Sequence, residues 1–311
     1  MSRRADTTDR PDVRCPLCGG EQVVRAGRRQ LVDGVRQLWR CHDCGKRFSK
    51  LERGDKRTPG NVVLMGLTLW CEGYSLEETA FILSRKYGVR RSRGCICKWL
   101  ADFDPSYRAI RRLNATRRPV VRNHLFHHRG LSYEYQVHLP KLRFARKFGG
   151  LQTFLESIPD CVPAGVFEDG MRCSEHPVEV ALHHARHQRW NWLTTQAAQA
   201  LRLARHNRER HAVIERYFLS CDRNTVATEV PVWFYDKRLG ATVTGHIDVL
   251  MANFGKLWVL DYKPRAAKEN PAKVASQLAL YAQALVYRAG VNRQDIRCAW
   301  FDDRDCFAFA P

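Results

Sequence analysis

No stretch of this 311-residue sequence approaches the roughly 18 consecutive apolar residues that a membrane-spanning helix requires. No membrane partner is therefore expected. The opening residues, MSRRADTTDRPD, are polar and contain no apolar core of a secretory signal, so a signal peptide is not expected either. Acidic residues are scarce: 32 Asp and Glu stand against 52 Lys and Arg, a formal charge of +20. That imbalance favours a polyanionic partner, because cations that neutralise phosphates release condensed counterions. Arginine dominates over lysine, which suits planar bidentate contacts to phosphate and guanine. Internal repeats and low-complexity tracts are absent. Of 12 cysteines only four form Cys-x-x-Cys units, and the rest show no second paired pattern. That argues against a disulfide scaffold and for a reducing compartment with metal-bound and free thiols. The expected location is cytoplasmic and nucleoid-associated, with DNA as partner; a homodimer is left open.

What is present begins with those paired cysteines. Cys15-Pro-Leu-Cys18-Gly-Gly and Cys41-His-Asp-Cys44-Gly-Lys each set two thiolates across a tight turn, with glycine allowing the backbone to fold back on sulfur. Four soft ligands at this spacing select zinc in a structural role, inside a mini-domain over residues 13–50. Val23-Val24, a turn near Asp33-Gly34 and Leu38-Trp39 read as short strands of a zinc ribbon. Its function would lie on a surface carrying Arg25, Arg28, Arg29, Arg36, Arg40, Lys46 and Arg47. Residues 58–103 read as helices. Val62–Trp70 is apolar, Ser75 and Glu78 form a capping box that opens Leu76–Tyr87, and Gly88-Val89 turns into Ser92–Phe103. Ile96, Trp99 and Leu100 face inward, leaving Arg90, Arg91, Arg93 and Lys98 as candidate DNA contacts of a helix-turn-helix.

These first 103 residues resemble the zinc ribbon and helix-turn-helix at the N-terminus of many insertion-sequence transposases. The resemblance rests on Cys15, Cys18, Cys41, Cys44-Gly45-Lys46-Arg47-Phe48 and on Tyr74-Ser75-Leu76-Glu77-Glu78-Thr79-Ala80.

The other informative stretch lies near the far end. Strand-like runs cover Val226–Tyr235, Ala241–Met251 and Leu257–Tyr262, a long helix spans about Pro271 to Ala289, and a last strand covers Ile296–Phe301. Asp248 falls near the end of one strand, and Asp261 and Lys263, two apart, share one face of the next. Hydrolysing a phosphodiester needs Mg²⁺ or Mn²⁺ on hard oxygens, which Asp248 and Asp261 can supply. Lys263 can stabilise developing charge or orient the attacking water. Gln277 and Tyr281, spaced i, i+4, share a helix face and could complete the site.

In order, Gly245-His246-Ile247-Asp248, Asp261-Tyr262-Lys263 and Gln277-Leu278-Ala279-Leu280-Tyr281 resemble the motifs of the PD-(D/E)XK nuclease superfamily, in its RecB-like branch. The resemblance implies an α/β nuclease core over residues 180–311 and a Mg²⁺- or Mn²⁺-dependent deoxyribonuclease. It also implies an acid or histidine on an upstream helix. His211 and Glu215 share a helical face, Glu215 ranks first, and Glu229 is an alternative. Only Cys298 and Cys306 lie near the end, so an iron–sulfur cluster is rejected. The expected organisation is multidomain: ribbon, helix-turn-helix, a basic linker or unassigned region over 104–179, and the nuclease-like core. The rival readings are a DNA-binding transcriptional regulator with an inactive nuclease fold, or a transposase-related protein. The latter lacks an evident final carboxylate after Asp261, since Glu269 comes too soon. Residues 180–220 read as helical. Trp190, Trp192, Trp233, Trp258 and Trp300 are expected in the core, and the clusters His124, His127, His128 and His183, His184, His187 are not expected to bind metal.

Overall fold

A computed structural model describes residues 15, 18, 20–31, 34–49, 58–103, 110–111, 120–177 and 185–311. They form two units, one ending at Thr58 and the other holding Pro59–Ala204 and Glu209–Pro311. The arginines at 108, 112, 117 and 118, His183, His184 and the centre of the expected Asp33-Gly34 turn lie outside the described residues.

The small unit is a three-stranded antiparallel sheet in the order β1 (Val23–Leu31), β2 (Gly34–Cys41) and β3 (Arg47–Ser49). Trp39, Cys15 and Cys41 are its buried apolar side chains among the described residues. A unit of this size commonly needs a metal or disulfide to offset the entropy of ordering the chain.

The large unit is built on a nine-stranded mixed sheet. Its strands are β4 (Val121–His128), β5 (Leu131–His138), β6 (Met171–Arg172), β7 (Arg186–Arg189), β8 (Thr225–Asp236), β9 (Ala241–Asn253), β10 (Lys256–Tyr262), β11 (Ile296–Phe301) and β12 (Asp305–Phe309). The order is β4-β5-β8-β9-β10-β11-β12-β7, with β6 beside β9. The central meander β8–β9–β10 is antiparallel, and a two-residue turn, Phe254-Gly255, joins its last two strands. Both turn residues have positive φ, 49° and 74°, the backbone twist that matches a tight hairpin. β10 and β11 run parallel, which requires a long crossover, and the helix Pro271–Ala289 provides it.

The helices are α1 (Gly60–Cys71), α2 (Leu76–Tyr87), α3 (Arg93–Phe103), α4 (Leu151–Cys161), α5 (Ala164–Asp169), α6 (Trp192–Leu201), α7 (Arg210–Cys221) and α8 (Pro271–Ala289). The capping box at α2 forms as read: Glu78 N–H donates to Ser75 Oγ at 3.1 Å, and Ser75 N–H to Glu78 Oε2 at 2.7 Å. Apolar side chains fill two cores. One holds Leu278, Leu285, Val259, Ile247 and Trp300, with Leu151 and Leu155 of α4. The other joins Val62, Leu67, Leu83, Ile96 and Trp99 of α1–α3 to Ile214 and Phe218 of α7 and to Val249, Met251 and Leu260 of the sheet. The three helices thus pack into the same core as α7 and the sheet. Among the described residues no helix is long and apolar enough to cross a membrane.

The structure departs from sequence expectation in three places. Arg186–Arg189, read as helical, is the edge strand β7 paired with β12, because a polar four-residue segment takes its form from the ladder rather than from its own periodicity. His187 there pairs with Asp305 at 2.8 Å and stacks on Phe307. Trp190, expected in the core, is 72% exposed with a φ of 57°. Residues 120–177 are largely structured: the β4–β5 hairpin extends the sheet, and a 3₁₀ turn after it carries the fully buried Lys141. Burial pushes its ammonium down to about 8, and it donates to Leu219 O and Asp222 O where α7 ends. It thereby satisfies helix carbonyls that would otherwise have no partner.

Candidate functional site

Three adjacent strands and two helices converge on one cavity of about 390 Å³. β9 sends Thr244, His246 and Asp248 to one face by its two-residue period. β10 pairs with β9 up to Leu260 opposite Val249, so the next step of that register sets Asp261 beside Asp248. Lys263 follows on the same face, its Nζ 2.9 Å from Asp261 Oδ2. α8 contributes Gln277 and Tyr281, one turn apart, with Gln277 Nε2 donating to Tyr281 Oη at 2.7 Å. All five of these motif residues therefore line the same cavity.

α7 supplies the upstream residues. His211 Nε2 lies 2.8 Å from Glu215 Oε1 and 3.2 Å from Asp248 Oδ2, joining the helix to the strand. His211 lines the cavity, and Glu215, ranked first from sequence, meets it at the same nitrogen that faces Asp248. Glu229 also lines the cavity, from β8, with a φ of 48°. A non-glycine residue held there stores on the order of 1–3 kcal/mol, a cost found where a side chain must be aimed. Its carboxylate meets His246 Nδ1 at 2.5 Å. Ligand atoms of His211, Glu215 and Glu229 all lie within 4.8 Å of one another, which brings both acids considered from sequence to the same place.

The electrostatics explain what this arrangement lacks. Asp248 and Asp261 are almost wholly buried, at 6% and 2% exposure, and side by side. Burial, then the Asp248 charge, pushes the Asp261 carboxyl well above the usual range, against the pull of Lys263. Burial disfavours charge on Asp248 too, but the imidazolium of His211 overcomes it and holds that carboxyl low. Burial also opposes the His211 charge, yet Asp248 and then Glu215 raise it to about 11. Glu215 rises to about 8 through burial, with Glu229 and Asp248 adding to it and His211 offsetting part. A protonated imidazole, the Lys263 ammonium and the Arg172 guanidinium on the cavity wall stand against four crowded carboxyl groups. Hard oxygen donors this close together, with one imidazole, fit a divalent cation.

Residues 164–308 match the PD-(D/E)XK nuclease superfamily. Its members are typically metal-dependent nucleases, so this segment points to nucleic acid as substrate. The superfamily match covers the cavity's β9, β10 and α8 walls and its α7 wall, and leaves the β4–β5 hairpin outside. The chain matches no curated protein and no solved structure.

The glycine of the superfamily-like Gly-x-x-Asp strand has a packing reason. A Cβ on Gly245 would stand 2.4 Å from Tyr281 Cε1 and 3.1 Å from Cys173 Sγ, so only glycine lets the tyrosine lie against the strand. Gly245→Ala is expected to cost about 1–3 kcal/mol by overpacking and to displace Tyr281. A thermal melt paired with a cleavage assay checks both.

Several residues of the cavity wall were not assigned to it from sequence, among them His246, His128, Tyr133 and Arg172. His246 was legible, being two before Asp248 on the same strand. His128, Tyr133 and Arg172 were not, because they come from segments without readable periodicity. His128, buried and pushed down to about 4 by burial, bonds Thr244 Oγ1 at 3.1 Å; Tyr133 packs on His246 with ring centroids 4.1 Å apart.

The other cluster is the cysteine set of the small unit. Cys15 and Cys44 sulfurs lie 3.7 Å apart and those of Cys18 and Cys41 3.5 Å apart. A tetrahedron of Zn–S bonds spans about 3.8 Å between sulfurs, so the set fits zinc. Cys15 N–H donates to Gly20 O and Cys41 N–H to Lys46 O, both at 2.9 Å, closing the two knuckles. Burial, with the other thiols crowding in, pushes Cys18 up to about 12, a state that a bound cation reverses. On the helical segment Arg90 and Lys98 are exposed. Arg93 is held by Glu77 at 2.6 Å, and Arg91 donates to Arg90 O at 2.7 Å.

The proton inventory of the cavity has a measurable consequence. Between their ordinary and raised values, 4.5 to about 8 for Glu215 and 6.5 to about 11 for His211, the folded state holds more protons than the unfolded chain. The stability these groups add is present at low pH and is lost as pH rises through those windows. A divalent cation displaces the same protons. The melting-temperature rise caused by Mn²⁺ or Mg²⁺ is therefore expected to grow from about pH 6 to about pH 9, and to grow less in Glu215→Gln.

Proposed function

We propose that the protein is a DNA-binding, Mg²⁺- or Mn²⁺-dependent deoxyribonuclease of the RecB-like type that hydrolyses phosphodiester bonds. The observation that carries this reading is the gathering of Asp248, Asp261 and Lys263 with His211 around one cavity. Asp248, Asp261 and His211 would hold the cation through the His211 Nε2 that now meets both Asp248 and Glu215, with Glu215 and Glu229 beside it. A bound divalent cation supplies Lewis-acid polarisation of the scissile phosphate and lowers the pKa of water at the site. The chain's own groups do the rest. Lys263 stabilises the negative charge that grows on the phosphoryl oxygens and orients the attacking water. Gln277 and Tyr281, joined by their hydrogen bond, fix the side of the cavity where the phosphate lies. His211 must give up its proton before its nitrogen can act as a ligand.

Recruitment to DNA is assigned to the zinc ribbon and to a helix-turn-helix formed by α2 and α3, with Arg90, Arg91, Arg93 and Lys98 as phosphate or base contacts. The charge of +20 supports a polyanionic partner. The test is cleavage of labelled single-stranded and duplex DNA by the full chain with Mg²⁺, with Mn²⁺ and with chelator. Metal-dependent products are expected. Absence of cutting on every substrate with either metal overturns the enzyme reading.

A further inference from the structure

A second cavity of about 380 Å³ adjoins the acidic one and plays no part in the chemistry above. The 3₁₀ turn Cys173–Glu175 divides the two. Cys173 and Ser174 line the acidic cavity, and His176, just past the turn, lines the other. A turn of that kind rises only about 6 Å. α8 runs along both, turning Gln277 and Tyr281 to one and Leu280, Gln283 and Tyr287 to the other.

The neighbouring cavity joins exposed aromatic rings to unneutralised cations. Tyr235, at the end of β8, is 51% exposed, and Tyr287, near the end of α8, is 61% exposed. Large rings left this open in one concavity are unusual unless something covers them. Lys237 and Arg238 come from the adjoining β8–β9 turn, and neither has a carboxylate partner among the described residues. Arg293 closes the far side, donating through Nε to Pro311 O at 2.9 Å. The one carboxylate there, Asp236, is already satisfied: Arg238 N–H donates to it at 2.8 Å and His176 Nε2 lies 3.2 Å away. These donors hold Asp236 in its charged form, and Lys237 and Arg238 stand beside it as the cations of the cavity.

Resting on the nuclease reading, we infer that this cavity is a base-stacking subsite for single-stranded nucleic acid flanking the scissile phosphate. Tyr235 and Tyr287 present π-faces to one or two unpaired bases, and Lys237 and Arg238 take the intervening phosphates. Rings accept any base, so the subsite is indifferent to sequence and selects strands that are single or frayed. A paired base keeps both faces stacked in the duplex and cannot use these rings.

The experiment measures binding of labelled oligothymidylate and of a duplex to the full chain, without added Mg²⁺ or Mn²⁺, by fluorescence anisotropy. Wild type is compared with a Tyr235→Ala, Tyr287→Ala double variant, whose side chains are exposed enough to be removed without unfolding the protein. The variant is expected to lose about tenfold in single-strand affinity and to keep duplex affinity unchanged. Photocrosslinking with a 5-iodouracil strand is expected to label the peptide holding Tyr235 or Tyr287. Unchanged single-strand affinity with no label on either tyrosine overturns the subsite, as does an equal loss for both substrates. The cleavage assay separates the two ideas. Cutting by wild type with unchanged binding by the variant sinks the subsite alone. Weakened binding by the variant with no cutting by wild type sinks the nuclease reading and leaves the subsite standing.

Discussion

Lys263→Ala is expected to lower metal-dependent DNA cleavage by roughly 10²- to 10⁴-fold, the range for removing a group that stabilises transition-state charge or moves a proton. DNA affinity is expected to stay near wild type, because one ammonium contributes little beside a charge of +20. The reason for a large effect lies in what surrounds the residue. Its Nζ sits 2.9 Å from Asp261 Oδ2 inside a cavity that Asp248 and Glu229 also line. Burial lowers the charge preference of Lys263, yet Asp261 and Asp248 more than restore it, so the side chain stays cationic and fixed. Alanine removes that positive charge from the place where phosphoryl charge grows. It also leaves Asp261 with only Asp248 beside it, which favours the protonated acid and weakens cation binding. Rates should therefore be compared at saturating Mn²⁺, where the second effect is suppressed. Wild-type rates from the variant under those conditions would show that cutting comes from elsewhere.

The centre was legible from sequence to the extent that its residues share one strand or one helix. Asp261 and Lys263 are two apart on β10, and Gln277 and Tyr281 four apart on α8, so local periodicity alone places each pair on a common face. That β9 and β10 are antiparallel neighbours was readable from the short turn between them, and this brings Asp248 to Asp261. The upstream position was not readable in the same way. His211 and Glu215 occupy one helix face, and the sequence offers no means of telling which of them points at the strand. The crossing of α7 over the sheet decides it, and packing of Ile214, Tyr217 and Phe218 sets that crossing. Lys141 illustrates a second limit. A lysine is expected on the surface, and its burial depends on carbonyls 78 and 81 residues away in the chain. The strands β4, β5, β7 and β12 escaped for a related reason: edge and near-edge strands with polar faces carry weak alternation, and their form follows from pairing.

Cys41→Ser is expected to abolish ordered structure in the small unit while leaving the melting temperature of the large unit unchanged. Among the residues whose burial is described, the small unit buries Trp39, Cys15 and Cys41 as apolar side chains, and a unit of this size commonly needs a metal or disulfide to fold. A zinc ion on the four cysteines is the expected source of stabilisation, since such binding is worth about 10–16 kcal/mol at neutral pH. Cys41 is the fully buried member, its sulfur 3.5 Å from that of Cys18, and serine offers a harder and less readily ionised oxygen in its place. Hydrogen exchange reads the outcome directly. Amides of Val23–Leu31 and Gly34–Cys41 should exchange at unfolded rates in the variant, and amides of β8–β10 should keep their protection. A substitution serves better than a chelator, since chelation would also strip the acidic cavity and confound the two centres. If duplex affinity falls with the ribbon while cutting of single strands persists, recruitment and hydrolysis reside in different parts of the chain. If the strands keep their protection without the fourth thiolate, zinc is not what folds them.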